Sequence, residues 1–266
     1  MARRRRGADP VATQATFGGG EDSGAPGTLY LVGTPIGNLG DLSSRAGQTL
    51  AAVHLVVAED TRRTRQLLSA LGVHRPVRSF HEHSPDGRAQ DLVGQLAAGR
   101  DVAYVTDAGM PAVADPGARL VRAAADAGVP VVVVPGPSAV TAAVALSGFG
   151  GDSFVFAGFV PRTPVARRRF WAEVAASRWM WVTFEVPHRV LSSLADAAAA
   201  LGDRPVAVAR EMTKVNEEVL RGSAEDVAAQ LRARFGDTPR GEYVVVVGPA
   251  KQKAPPIPPA EVATPP

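Results

Sequence analysis

Val129-Pro130-Val131-Val132-Val133-Val134-Pro135-Gly136-Pro137-Ser138-Ala139 reads as a short buried strand that runs into a glycine–proline turn and then a helix. A run of β-branched residues with no polar alternation belongs in a parallel sheet, where helices cover both faces. The same grammar recurs upstream. Apolar runs at Leu29–Gly33, His54–Ala58, Val77–Phe80 and Val102–Thr106 alternate with helical stretches near Leu42–Ala52, Thr61–Leu71, Gly87–Ala98, Ala114–Ala127 and Ser138–Leu146. Five such strands describe one open α/β domain over residues 28–147.

A glycine-dense seam follows at Ser147-Gly148-Phe149-Gly150-Gly151-Asp152, and the pattern then changes. Residues 152–248 read as strand Phe154–Phe159, helix Val165–Ala176, strand Trp179–Phe184, helix His188–Leu201, strands Val206–Ala209 and Glu217–Arg221, helix Ala224–Arg234 and strand Tyr243–Val247. Two successive strands without a helix between them imply antiparallel pairing, so this half is a mixed sheet. The expected architecture is α/β, with two domains meeting at a cleft. Residues 1–27, with Arg3–Arg6, and the proline-rich residues 249–266 read as disordered tails, because they lack apolar groups to offset the entropy of ordering. The arginine run would serve at most as an electrostatic arm.

Composition narrows the chemistry. The 266 residues contain no cysteine, which excludes disulfides, zinc–thiolate sites, iron–sulfur clusters and cysteine nucleophiles and suits a reducing cytoplasm. No apolar run approaches the roughly 20 residues of a membrane span, and no apolar segment follows Arg3–Arg6 as in a secretory signal. A net charge of +3 permits a nucleic-acid partner without requiring one.

In an open α/β sheet, ligands bind beyond the carboxyl ends of the strands. Three such loops stand out: Gly33-Thr34-Pro35-Ile36-Gly37-Asn38-Leu39-Gly40-Asp41; Thr106-Asp107-Ala108-Gly109-Met110-Pro111, continuing to Asp115-Pro116-Gly117; and Pro135-Gly136-Pro137-Ser138-Ala139. Glycine permits close backbone approach, proline pre-sets the turn, and small residues leave room for a flat ligand. Pro35 occupies the second glycine position of a dinucleotide fingerprint, and no phosphate-binding G-x-x-x-x-G-K-[ST] loop is present, so both nucleotide classes are disfavoured.

Six strings, VGTPIGNLGD from Val32, AEDTR from Ala58, SFHEH from Ser79, DAGMPAVADPG from Asp107, PGPSA from Pro135 and REMTKVNEEVLRG from Arg210, carry a resemblance. Their order is similar to that of the tetrapyrrole-methylase-like (class III) methyltransferases and, within them, the ribosomal RNA small-subunit methyltransferase I family. The resemblance implies S-adenosylmethionine held in an interdomain cleft. It also implies methylation of the ribose 2′-hydroxyl of a decoding-centre cytidine (1402 in the usual rRNA numbering) in 16S rRNA, within a cytoplasmic homodimer. It assigns cofactor contact to Pro35, Ala108, Gly109, Met110, Val113, Ser138, Ala139, Glu185, Val186 and the Ala209–Glu211 segment. Met110 departs from the threonine more common in the family. A tetrapyrrole methyltransferase of the same fold and a non-catalytic RNA- or cofactor-binding protein are the alternatives.

A ribose hydroxyl gains nucleophilicity by losing its proton to a base. Glu59, Asp60, Asp107, Glu211, Lys214, Glu217 and Glu218 are the candidates, with Asp60 also placed to cap the helix from Thr61 and Lys214 able to accept a proton if desolvated. Arg62, His81 and the basic run Arg162–Trp171, through Arg167 and Arg168, are the expected RNA contacts. His81-Glu82-His83 lacks metal-site spacing and, read as a strand, presents both histidines on one face. Trp179 and Trp181 alternate as core residues.

Overall fold

The computed structural model describes residues 25–150 and 152–250, and the expected tails fall almost entirely outside them. The chain forms two compact units, one ending at Pro35 and resuming over Leu39–Pro137, the other comprising Ile36–Asn38 and the chain from Ser138.

The first unit contains β1 (Leu29–Val32), α1 (Ser44–Ala52), β2 (Leu55–Ala58), α2 (Thr61–Ala70), β3 (Val77–Ser79), α3 (Asp86–Ala97), β4 (Val102–Val105), α4 (Gly117–Asp126) and β5 (Val131–Val134). A 3-10 turn, Leu39–Asp41, precedes α1. The strands lie in the order β3-β2-β4-β1-β5, and every pair is parallel. Uninterrupted apolar strands serve this sheet because alternate side chains enter two separate cores. Leu29, Leu55, Val57, Val102 and Tyr104 pack with Leu92 and Leu96 of α3 and Leu120 of α4. Tyr30, Val32, Val56, Ala58, Ala103 and Val105 pack with Leu50 of α1 and Leu68 of α2 on the other face. Helix starts follow local chemistry: Ser43 accepts from the Ala46 N–H at 3.1 Å, and Asp60 caps α2 by accepting from the Arg62 and Arg63 N–H groups.

The second unit contains α5 (Ala139–Ser147), β6 (Phe154–Phe159), α6 (Pro164–Ala176), β7 (Met180–Glu185), α7 (Val190–Leu201), β8 (Val206–Arg210), β9 (Glu218–Gly222), α8 (Ala224–Phe235) and β10 (Tyr243–Val247). Its order is β6-β7-β10-β8-β9, with β6 and β7 parallel and the remaining pairs antiparallel. Trp171, Leu194 and Leu231, from α6, α7 and α8, cover one face of this mixed sheet. On the other, Val140 and Ala143 of α5 meet Val182, Ala207, Ala209, Val244 and Val246, with Ile36 added from the first loop.

Four features differ from what the sequence led us to expect. The first domain was expected to run to residue 147, but α5 packs on β7, β8 and β10, where the small Ala207 and Ala209 admit a helix closely. Arg167 is buried, not a surface arginine, and its Nε donates to Asp196 Oδ2 at 2.6 Å across α6 and α7. Trp179 is 42% exposed, with the Arg178 guanidinium 4.2 Å from its ring centroid. His81 and His83 stand in a turn beyond the end of β3, with ring centroids 6.5 Å apart.

Arg204 locks the far end of the second unit by donating to four carbonyls: Nε to Gly248, Nη1 to Val174 and Ser177, and Nη2 to Trp179. Arg204→Ala orphans these acceptors and is expected to cost about 2–4 kcal/mol, given about 1.5–3 kcal/mol for a hydrogen bond to a charged group. Equilibrium denaturation in urea measures the loss.

Candidate functional site

Parallel pairing sends the carboxyl ends of all five strands of the first unit to one edge. Because β1 lies between β4 and β5, the three glycine–proline loops leave from neighbouring strands and touch. The Thr34 N–H donates to the Gly109 carbonyl at 2.9 Å, and the Gly109 N–H returns to the Thr34 carbonyl at 3.1 Å. Gly33 and Gly136 meet backbone to backbone: a Cβ on Gly33 would lie 2.6 Å from the Gly136 nitrogen, and one on Gly136 would lie 2.8 Å from the Gly33 carbonyl carbon. Gly109 holds a left-handed φ of 86°, which a side chain would strain.

Met110 turns out to join two of these loops, its Sδ accepting from the Gly136 N–H at 3.2 Å. Past it, Ala112 and Ala114 hold positive φ values of 63° and 57°. Asp115 pins this strained turn: Oδ2 accepts from the Ala112 N–H at 2.8 Å, and Oδ1 accepts from the Gly117 N–H at 2.6 Å and the Tyr104 hydroxyl at 3.3 Å. Asp115 carried no functional expectation from the sequence, although the Asp-Pro-Gly turn signalled a fixed loop. The clamp leaves Ala108 exposed and Val113 46% exposed, two small apolar surfaces at the sheet edge.

Carboxylates crowd the same edge. Asp107 accepts from the Asp60 N–H at 3.1 Å and lies 3.7 Å from Arg63 Nη1, so the ends of β2 and β4 are tied through one side chain. Asp60 itself is occupied as the α2 cap, and the backbone N–H bonds hold its carboxyl below the usual range. Glu59 reaches solvent, yet crowding at the strand ends costs its carboxylate hydration. That desolvation, with the charges of Asp107 and Asp115, holds Glu59 above the ordinary carboxylate range. Burial also raises Asp115, and the hydrogen bonds it accepts offset only part of the rise.

In the second unit, Glu185 ends β7 fully buried, with Oε1 accepting from the Val186 N–H and from Arg189 Nη2, each at 2.8 Å. Its Oε2 has no partner among the described residues. The Ala209 side chain is sealed in the core, so this residue offers a ligand only its backbone. Ser138 precedes α5 and Ala139 begins it, both half-buried, and the Ser138 side chain makes no cap bond.

The loop after β8 is strained at Glu211 and Thr213, with φ values of 51° and 66°. Glu211 and Glu242 accept from Lys214 Nζ at 2.9 and 3.0 Å, and a Cβ on Gly37 would lie 2.6 Å from Lys214 Cγ. Burial pulls the Lys214 ammonium down, but those two carboxylates carry the balance above its ordinary value. A lysine so held keeps its proton more tightly than a free one. Glu217 accepts from the Thr213 N–H and Glu218 pairs with Arg210, so both stabilise the local loop. Arg62, His81 and Arg168 are exposed, as RNA contacts require.

A parallel five-stranded sheet with ligand-sized loops at its carboxyl edge, followed by a mixed five-stranded sheet, defines a class. Residues 28–228 match the family model of the Tetrapyrrole (Corrin/Porphyrin) Methylases. The fold is shared with a cobalt precorrin-4 methyltransferase of cobalamin biosynthesis (TM-score 0.62, 18% identity, 83% of this chain and 94% of that one). It is shared also with a uroporphyrin-III C-methyltransferase from Thermus thermophilus (TM-score 0.57, 22% identity, 83% and 94%). Much nearer in sequence is the ribosomal RNA small subunit methyltransferase I of Micromonospora olivasterospora, 44% identical over 247 residues, covering 93% of this chain and 78% of the relative. The Thermotoga maritima protein of the same name is 44% identical over 221 residues, covering 83% and 98%. The chain belongs to the ribosomal RNA small subunit methyltransferase I family.

The close approach of the loops makes Gly136 intolerant of a side chain. Gly136→Ala forces its methyl into the Gly33 backbone and is expected to destabilise the protein by about 1–3 kcal/mol, the usual range for overpacking, as read by thermal melting. Glu59→Gln is expected to raise the melting temperature at neutral pH, because folding raises the Glu59 pKa and so penalises the ionised group. Below the unfolded pKa, Glu59 is protonated in both states, so the gain disappears as the pH falls through the raised folded value toward 4.5. Melting curves of the two proteins across that range check the sign.

Proposed function

We propose that this protein transfers the methyl group of S-adenosylmethionine to the ribose 2′-hydroxyl of the decoding-centre cytidine of 16S rRNA, position 1402 in the usual numbering. The observation that carries the reading is the convergence of three glycine–proline loops beside a carboxylate, Glu59, held above its ordinary range. The names of relatives at 44% identity support the RNA substrate.

The loops fit the cofactor. Ala108 and Val113 offer small apolar surfaces for an adenine ring, the strand-end backbone offers hydrogen bonds, and the negative charge of the neighbouring carboxylates suits a sulfonium. Pro35, Gly109 and Met110 would complete this cradle within the first unit; in the second unit, the family resemblance assigns cofactor contact to Ser138, Ala139, Glu185, Val186, Ala209 and Glu211. The bound cofactor supplies a methyl group already activated by its positive sulfur.

The residues of the chain must then align the acceptor and take its proton. Glu59 accepts the 2′-hydroxyl proton, for which its raised proton affinity suits it. Asp107, held by Arg63 and the Asp60 N–H, orients the acceptor. Asp60 holds the start of α2, while Arg62, His81 and Arg168 meet RNA. The homodimer and the cytoplasmic location belong to the same proposal.

Tritiated cofactor incubated with small ribosomal subunits and, separately, with a porphyrinogen tests the reading. Label is expected in the RNA alone, at a 2′-O-methylcytidine after digestion; label in the porphyrinogen, or in neither, overturns it. Glu59→Gln is expected to lower kcat by a factor of about 10²–10⁴, the usual contribution of a general base. The wild-type rate is expected to decline as acidification protonates Glu59, and this pH limb is absent in the variant. Asp107→Asn is expected to lower transfer while leaving cofactor affinity intact, as titration calorimetry reads.

A further inference from the structure

Between Thr61 and His81 the chain carries five arginines, Arg62, Arg63, Arg65, Arg75 and Arg78, and no acidic residue. Folding gathers part of this charge along one line. Arg62, Arg65, Gln66, Ser69 and Ala70 follow the i, i+3, i+4 spacing of one helical stripe on α2, opposite the buried Thr64 and Leu68. They line a surface recess of about 540 Å³. A second recess of about 420 Å³ continues from it, sharing Arg65 and Ser69 and ending at His74 and Arg75. The groove therefore begins at the helix whose capping residue, Asp60, adjoins Glu59 and Asp107, and it runs away from those carboxylates along α2.

We infer that this groove is the track for the RNA strand flanking the methylated nucleotide, an inference that rests on the function proposed above. Arg75 is fixed in place by donating from Nε to the Ala51 carbonyl at 2.9 Å, and Arg65 donates to Thr61 Oγ1 at 3.2 Å, so both are oriented without losing charge. Among the described residues, no carboxylate lies within ion-pair distance of Arg62, Arg65 or Arg75. Gln66, Ser69 and His74, set among Leu68, Ala70, Val73 and Pro76, offer polar atoms that suit phosphate and 2′-hydroxyl groups. No large exposed hydrophobic residue occurs between Thr61 and His81, so the groove has nothing to insert into a lipid surface. Ten residues at about 1.5 Å each give α2 a length of about 15 Å along which the backbone of one strand can lie.

The test is RNA binding at a series of salt concentrations, by filter retention of an oligonucleotide with the sequence around the target cytidine. Replacing Arg62 and Arg65 together by glutamine is expected to flatten the slope of log affinity against log salt by about 1.4, or 0.7 per lost phosphate contact on a single strand. The apparent KM for small subunits rises roughly tenfold, while cofactor affinity by calorimetry stays at the wild-type value. The Arg62→Lys, Arg65→Lys protein keeps the wild-type slope, because charge and not packing carries the effect. Arg122→Glu, on the exposed side of α4, leaves the slope as it is.

A double-glutamine variant that keeps the wild-type slope overturns the inference. So does one that loses binding to phosphatidylglycerol vesicles and not to RNA. The slope reads the groove whether or not methyl is transferred. A flattened slope in a protein that methylates nothing would refute the proposed activity and leave the RNA track standing.

Discussion

Strand β1 sits between β4 and β5, so the backbone leaving it must share the sheet edge with two other turns. Gly33 and Gly136 solve that crowding by presenting hydrogen atoms where any other residue would drive a carbon to within 3 Å of the opposite backbone. The paired Thr34 and Gly109 backbone bonds and the Met110 thioether then fasten all three loops into one surface. Everything at this edge depends on that close approach: the exposure of Ala108 and Val113, the placing of Asp107, and the strained turn that Asp115 holds. A parallel sheet favours such a site, because every strand delivers its carboxyl end and its following loop to the same side.

The edge also concentrates negative charge. Desolvation and the charges of Asp107 and Asp115 raise the proton affinity of Glu59, and burial raises that of Asp115, which costs stability where both are ionised in the folded protein. Partial compensation comes from Arg63, from the backbone N–H groups at Asp60, Ala112 and Gly117, and from the start of α2. The compensation is uneven. Asp107 and Asp115 each engage specific donors, whereas at Glu59 desolvation and like charge outweigh the opposing charge of His81. That asymmetry gives the carboxylates of one sheet edge different environments, which the proposed division of roles draws on. Charge of the opposite sign follows immediately along α2, so an anionic strand meets attraction beside the carboxylates and not repulsion alone.

Much of the architecture was legible in the chain. The strands of the first sheet follow from short valine-rich runs, and the mixed second sheet follows from two adjacent strands without a helix between them. Asp60 marks the start of its helix by its side chain, and the structure uses it as the cap. The three loops were recognisable from glycine and proline alone. What escaped were choices made by partners distant in sequence. Arg167 looked like one of several surface arginines in a basic helix, but its periodic position faces Asp196 on α7, 29 residues away. Lys214 looked like a base candidate if desolvated, but Glu242, from the approach to β10, closes on it. Trp179 looked like core, but it precedes β7 and stays outside under Arg178.

Local chemistry along the chain was enough to settle which segments are strands and helices, where glycine–proline loops end the strands and which family of proteins the chain joins. Apolar periodicity, capping residues and turn chemistry act over a few neighbours and can be read in one dimension. Folding in three dimensions was needed to set α5 over the second sheet, to bring Gly33 against Gly136, to make Asp115 a clamp, and to line Arg62, Arg65 and Arg75 along one groove. These depend on strand order and on the face each helix presents. Both are set by long-range burial, for which many pairings satisfy the same local pattern and only the packed chain selects one.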